Sequence, residues 1–321
     1  MQYRTLGRTG LKVSTLCLGT MTFGWSADEA TSHAILDAAL DAGINFIDTA
    51  DVYSRWVEGN RGGESETVIG SWLKGKDRRS VVIASKARGR MWDGPNGEGL
   101  SRVHLIQAVE ESLRRLQTDY IDLYQTHAPD DSTPLEETAR ALETLVQQGK
   151  VRYVGASNYK AWLLCKALWV SDKLNVARFD SLQPHYSLLN RKEFEAELEP
   201  LCLDQGVGVI PYSPLAAGFL TGKWPRGGGN VDTSRSESML IKRLMADENA
   251  YAVVDTVRTI ADTLGVPMAH IALAWLLARP SITSPIIGAR TVAQLQEVVG
   301  ATDLTLPTEM IQALNSVTER Y

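Results

Sequence analysis

Four side chains in this sequence have the types and positions needed to move a proton onto an oxygen atom. Asp48 ends a short apolar run, Asn45-Phe46-Ile47, and Tyr53 follows five residues later. Lys86 and His127 stand at the ends of two further apolar runs, residues 81–85 and 120–124. A free tyrosine ionises near pH ~10, too high for easy proton loss near neutrality. A neighbouring ammonium stabilises the phenolate and makes the phenol a better acid; a tenfold gain in acidity corresponds to about 1.4 kcal/mol. Asp48 can hold that ammonium through an ion pair. His127 can donate a hydrogen bond to a carbonyl oxygen and stabilise the charge that develops there. No side chain is an obvious reductant, so the electrons must come from a cofactor, and hydride from a nicotinamide is the natural source. Singly, each residue has a plainer reading: Asp48 as a cap, Tyr53 as loop packing, Lys86 as a surface charge, His127 as a buried histidine. Their arrival at one place is what points to an enzyme.

Strand-like and helix-like segments alternate along nearly the whole chain, and these must bring the four together. Strands are expected at residues 14–18, 45–48, 81–85, 120–124, 151–156, 179–183, 207–211 and 282–287. Helices are expected at 28–41, 64–73, 101–116, 134–148 and 161–168, around 194–204, and after Thr291. Ser101 can cap the third helix, Arg114 and Arg115 suit its end, and Gly149 suits a left-handed cap on the fourth. Short apolar strands covered by amphipathic helices indicate a parallel sheet buried on both faces. About eight such units predict an α/β fold, a closed (β/α)8 barrel spanning 1–321 as one domain. In such a barrel the residues just past the strands' carboxyl ends share one mouth. Residues 3–13, turning at Arg8-Thr9-Gly10, are expected to form a hairpin plugging the base. Residues 216–249, with Lys223, Arg235 and Gly227-Gly228-Gly229, are too long for a connector and read as a ligand lid or a disordered insertion. A doubly wound dinucleotide fold is disfavoured because no GxGxxG turn follows the first strand.

The chain has 321 residues, 44% of them hydrophobic, and can bury a large core. Its net charge of −5, with only short basic clusters, gives no footprint for nucleic acid. No apolar run approaches the roughly 18 residues of a membrane span, and the opening Met-Gln-Tyr-Arg-Thr has no signal core. The three cysteines are far apart, without a CxxC pair, and read as buried free thiols rather than a metal or disulfide framework. A cytoplasmic protein that needs no metal is expected.

Several stretches together resemble the aldo-keto reductase superfamily along nearly the full length. They are Gly19-Thr20-Met21; Asn45-Phe46-Ile47-Asp48-Thr49-Ala50 leading to Tyr53; LRRLQTDYIDLYQTH at 113–127; and Gly155-Ala156-Ser157-Asn158. QPHYSLLNR at 183–191, PYSPLAAG at 211–218 and PIIGAR at 285–290 continue the likeness. The resemblance implies an eight-stranded barrel binding NADPH across its mouth, with Asp48, Tyr53, Lys86 and His127 as the catalytic tetrad. It implies reduction of aldehydes or ketones to alcohols. Ser157, Asn158 and Gln183 would hold the nicotinamide carboxamide, and Tyr212 would stack beneath the ring. Ser213, Leu215 and Gly218 would approach the diphosphate by their backbone, with Lys223 and Arg235 reaching its charges. Gly288, Arg290, Gln294 and Glu297 would form the adenosine end. A guanidinium forks onto a 2′-phosphate, so Arg290 favours NADPH over NADH. Val298 stands where related members commonly have an asparagine, which puts one adenine contact in doubt.

Trp25, Trp56 and Trp92 follow the first three strands and are candidates for an aromatic wall around a small carbonyl substrate. Trp56 is the foremost of them, and Arg55 or Arg88 could favour an anionic substrate. His185 and Tyr186 read as packing. Gly99-Leu100-Ser101-Arg102 also resembles the branch containing potassium-channel beta subunits. A nicotinamide-binding regulatory or channel-associated subunit with weak reductase activity is therefore the alternative. A cofactor-free hydrolase would need two acids spanning a scissile bond. The sequence leaves the oligomeric state open.

Overall fold

The computed structural model describes residues 1–227 and 238–321. Among the described residues ten strands form two sheets. β1 (Tyr3–Thr5) and β2 (Lys12–Ser14) make an antiparallel hairpin. The other eight are β3 (Cys17–Gly19), β4 (Phe46–Asp48), β5 (Val82–Ala87), β6 (Ile121–Thr126), β7 (Val151–Ser157), β8 (Phe179–Gln183), β9 (Gly208–Val209) and β10 (Ile286–Gly288). They pair in parallel in the order β10-β3-β4-β5-β6-β7-β8-β9. A parallel bridge between Val209 and Ile282, with Ile286 N donating to Pro211 O at 2.8 Å, joins the two ends of that row. The sheet thus curls round as the expected barrel.

Helices clothe the outside: α1 (Glu29–Asp41), α2 (Glu64–Leu73), α3 (Arg102–Leu116), α4 (Leu135–Gln147), α5 (Ala161–Leu174), α6 (Lys192–Glu195) and α7 (Leu198–Gln205). They are followed by α8 (Met239–Met245), α9 (Glu248–Leu264), α10 (Met268–Leu277), α11 (Val292–Val299) and α12 (Thr308–Val317). The caps follow the local chemistry. Asp28 accepts from Thr31 N at 2.8 Å, Ser101 from His104 N at 3.3 Å, and Gly149 takes a φ of 72° beyond α4.

The period of two along each strand sorts side chains between two cores. Leu18, Ile47, Ile83, Tyr124 and Leu182 face outward into the layer under the helices. Cys17, Phe46, Val82, Ala84, Leu123 and Ile286 face into the barrel. The same alternation sends Asp48, Lys86 and Gln125 inward at the carboxyl end. The opposite end is closed by the hairpin, whose Leu6 and Val13 join the inner core. Gly7 has a φ of 53°, and a Cβ there would lie 2.5 Å from Asp180 O and 2.7 Å from Gly208 N, so only glycine permits this closure. Arg4 ties the hairpin to the barrel through Ile282 O at 2.6 Å and Leu277 O at 2.9 Å.

Several expectations need correction. The strand expected at 14–18 is two, β2 and β3, because the chain leaves the hairpin at Thr15-Leu16 before joining the barrel. The helix around 194–204 is likewise two, α6 and α7. Lys86 lies within β5, not just beyond it. α9, α10 and α12 have no counterpart in the sequence expectations. Every residue of α10 from Ala269 to Leu276 is buried, so it has no polar face to betray a helical period. Cys17 and Cys202 are buried, but Cys165 is exposed on α5. Within 216–249 the chain forms a short 3-10 turn, Ala216–Thr221, and then α8. Gly228, Gly229 and Arg235 lie outside the described residues. Among the described residues, no single helix is long and apolar enough to cross a membrane.

Candidate active site

Strand register brings Asp48 and Lys86 together. Asp48 on β4 pairs with Ala84, two positions before Lys86, and Lys86 on β5 pairs with Gln125 on β6. Lys86 is fully buried. An ammonium has three protons, and all three are placed: on Asp48 Oδ1 at 2.5 Å, Thr49 O at 2.8 Å and Tyr53 Oη at 2.8 Å. Burial works against its charge, but Asp48 and Tyr53 outweigh burial and raise its pKa above the ordinary lysine value. Asp48 Oδ2 in turn accepts from Gln183 Nε2 at 2.9 Å and Gln125 Nε2 at 3.3 Å.

Because Lys86 donates to the phenol oxygen, Tyr53 keeps its own proton for another acceptor. Burial pushes the Tyr53 pKa up to about 12; Lys86 pulls it down and Asp48 adds to the rise. The lysine therefore acts in the direction expected, but burial wins and the phenol is a loaded donor at neutral pH. His127 follows β6 with its ring 6.0 Å from that of Tyr53. Burial, then Lys86 and Arg88, lower its pKa to about 3, so it is a neutral imidazole with one N–H to offer.

Asp48, Tyr53 and His127 line a cavity of about 550 Å³, together with Ser157, Asn158, Gln183, Tyr212, Ser213, Leu215, Gly218, Lys223, Gly288, Arg290, Gln294 and Glu297. Asn158 takes a φ of 61°, a conformation asparagine tolerates. That turns its amide to donate to His127 O at 2.9 Å and Ser157 Oγ at 3.1 Å, while its Oδ1 accepts from Tyr212 Oη at 2.9 Å. Tyr212 has one face stacked on His185 at 5.1 Å and 9°. His185 thus has a packing role, as does Tyr186, which packs against Phe194 and Trp275.

On the cavity wall Ser213, Ala217 and Gly218 have φ of 55°, 56° and 85°, and Ala216 beside them has 48°. Such left-handed conformations are costly for residues with a Cβ, and turns of this kind orient backbone N–H groups towards an anion. A Cβ on Gly218 would fall 2.6 Å from Lys223 Nζ, so its absence keeps a cationic cradle open. Beside the lining residues Arg290 and Gln294, Thr291 Oγ1 caps α11 through Gln294 N at 3.2 Å, and Gln294 Oε1 accepts from Arg290 N at 2.9 Å. A cavity lined by amides, a strained turn with a lysine, and an arginine suits a phosphorylated dinucleotide.

The tryptophans separate. Trp56 lies 6.3 Å from Tyr53, and Trp25 stacks edge-on against Trp56 at 5.7 Å. Trp92 does not join them: it stacks on His104 at 4.7 Å and lines a separate hollow with Arg102 and Ile106. Its loop is held against α3, where His104 Nδ1 lies 3.1 Å from Asn96 O. Arg55 donates to Arg90 O, and Arg88 to Pro129 O at 3.3 Å, so each ties its loop to the next one along the barrel rim.

Sequence reasoning missed a buried polar cluster behind β5. Glu66 of α2 accepts from Ser85 Oγ at 2.5 Å and Arg115 Nε at 2.7 Å. Arg115 is thus a structural ion-pair partner and not merely a charge near the end of α3. Asp51 is fully buried beside this group, and neither carboxyl oxygen has a hydrogen-bond partner among the described residues. Burial, reinforced by Glu66, raises its pKa well above the usual carboxyl range. The unfolded carboxyl loses its proton near pH ~4, whereas the folded one retains it to higher pH. The wild type is therefore penalised as pH climbs from the lower value through the higher. Asp51→Asn is expected to be the more stable protein at pH 7, with a gap over wild type that widens from pH ~4 upward. Urea unfolding across pH tests this, and parallel stability curves for the two proteins would refute it.

A barrel with these groups at its mouth defines a reductase class, and the family comparison agrees: the Aldo/keto reductase family model matches residues 15–319, and the chain belongs to that family. It is an NADP(H)-dependent oxidoreductase of small carbonyl compounds. Among similar proteins is the Uncharacterized oxidoreductase YrpG of Bacillus subtilis (strain 168), 42% identical over 99% of this chain and 96% of its own length. A Probable voltage-gated potassium channel subunit beta of Arabidopsis thaliana is 37% identical over 95% of this chain and 92% of its own. The Versiconal hemiacetal acetate reductase of Aspergillus parasiticus is 36% identical, over 98% and 96%.

Proposed function

We propose that this cavity is the active site, that Tyr53 is the proton donor in the reduction of an aldehyde or ketone, and that the whole chain, 1–321, forms one catalytic domain. The observation that carries this is the Lys86 Nζ to Tyr53 Oη hydrogen bond of 2.8 Å, which leaves the phenol proton for an oxygen in the cavity. NADPH, when bound, supplies the hydride. Asp48 and the Thr49 carbonyl hold Lys86 in place. His127 donates its N–H to the substrate oxygen and stabilises the charge developing there until Tyr53 protonates it. Ser157, Asn158 and Gln183 hold the nicotinamide carboxamide, and Tyr212, backed by His185, supports the ring. The turn through Ser213, Leu215 and Gly218, with Lys223, holds the diphosphate. Gly288, Arg290, Gln294 and Glu297 hold the adenosine end. Trp25 and Trp56 wall the substrate side. The kinship with a hemiacetal acetate reductase supports a carbonyl substrate.

The test is NADPH consumption across a panel of aldehydes and ketones, repeated with NADH and with Arg290→Ala. Turnover is expected for several members, with NADPH preferred. Arg290→Ala is expected to reduce that preference roughly 10- to 100-fold, the worth of a charge-assisted hydrogen bond. An unchanged preference sinks the phosphate role of Arg290. Tight NADPH binding with no turnover on any carbonyl would instead support a binding subunit, the reading favoured by kinship with the channel subunits.

A further inference from the structure

Gln125 is a fully buried polar side chain inside the barrel, and none of the chemical roles above uses it. A buried amide costs stability unless its hydrogen bonds are made. Its Nε2 lies 3.3 Å from Asp48 Oδ2, and Gln183 Nε2 lies 2.9 Å from the same oxygen. The nitrogen ends of both amides must face this carboxylate, since a carbonyl oxygen there would repel it. Gln183 Nε2 then has a second proton, and Gln125 Oε1 stands 3.4 Å away to take it. Both N–H groups of Gln183 are spent, so the atom it has left for the cavity it lines is its carbonyl oxygen. Room for this arrangement comes from β7. Gly155 pairs with Gln125, and a Cβ on Gly155 would come within 3.1 Å of Gln125 Cγ and 2.3 Å of Ser181 Oγ.

We propose that Gln125 is a positioning residue that sets the polarity of the nicotinamide subsite. Asp48 anchors one N–H of Gln183, and Gln125 anchors the other, so the amide cannot swing about a single bond. The site consequently presents an acceptor to a ligand's carboxamide N–H₂. This inference rests on the cofactor reading given above.

The experiment compares calorimetric affinities for NADP+ and for 2′-phospho-ADP-ribose, which lacks the nicotinamide, in wild type, Gln125→Leu and Gln125→Glu. Wild type is expected to favour NADP+. Gln125→Leu is expected to cut that ratio about ten-fold, one hydrogen bond's worth, while 2′-phospho-ADP-ribose binds as before. Gln125→Glu offers the same donor and acceptor when protonated, so its ratio should approach wild type as the pH is lowered and fall as the pH rises. A ratio in Gln125→Leu equal to wild type overturns the proposal. If that variant does not fold, a pH-independent ratio in Gln125→Glu overturns it instead. Equal binding of the two ligands by wild type would sink the carboxamide reading itself, and this inference with it.

Discussion

Tyr53→Phe is expected to slow the single-turnover oxidation of NADPH by a reactive aldehyde by about 10²–10⁴-fold, the usual worth of a positioned general acid. The substitution removes one oxygen. It leaves Lys86 bonded to Asp48 and the Thr49 carbonyl, so the ammonium is not stranded. Cofactor affinity should be nearly unchanged, because the Tyr53 hydroxyl bonds to Lys86 and not to the groups assigned to the carboxamide. The signature is therefore a fall in the chemical step without a fall in binding. His127 is a poor substitute donor: with its pKa at about 3 it is neutral, and giving up its N–H would leave an imidazolate. A chemical step as fast as wild type would mean that the proton comes from elsewhere, and the Tyr53 assignment would fall.

Lys86→Met is expected to damage stability as well as activity. Lys86 and Asp48 are a buried pair, 0% and 1% exposed, at 2.5 Å. Removing one partner of such a pair strands a charge in a dry interior, at a cost of about 3–5 kcal/mol. The donors from Gln125 and Gln183 soften this stranding but carry no net charge. Urea unfolding should show the loss as a lower midpoint with an unchanged slope. Lys86→Met combined with Asp48→Asn removes both charges, and most of the lost stability should return. Activity should not return, because nothing then holds the Tyr53 oxygen. Such non-additivity is the mark of directly interacting residues. If the double variant is as unstable as the single one, the ion pair does not set the cost.

The strands that carry chemistry were legible because each apolar run stops at a charged or polar side chain, and a parallel barrel turns those stops into one mouth. Asp48, Lys86 and His127 were singled out by that signal, and Tyr53 by its place on the loop after Asp48. Gln125 was not, although it sits two residues before His127 on the inward-facing parity of β6. A glutamine in an apolar strand reads as a solvent-facing interruption until the partner strand reveals Lys86 beside it. Glu66 and Arg115 escaped for a related reason: both look like exposed helix charges, and only the packing of α2 on α3 buries them. Trp92 was misplaced because being near a strand end in sequence does not say which way a loop folds. The break between β2 and β3 was hidden because Thr15-Leu16 carries no glycine or proline to mark it.

The hairpin beneath the barrel governs traffic as well as stability. With Leu6 and Val13 capping the floor, and Phe46, Ala84 and Leu123 filling the shaft above it, the polar chamber at the top is a blind alley. Whatever enters by the mouth must also leave by it. On the proposed assignment the ring held by Ser157, Asn158 and Gln183 lies innermost, and the substrate is parked on top of it. The visitors then form a queue in which the last to arrive departs first, and the spent dinucleotide waits until the alcohol has cleared the exit.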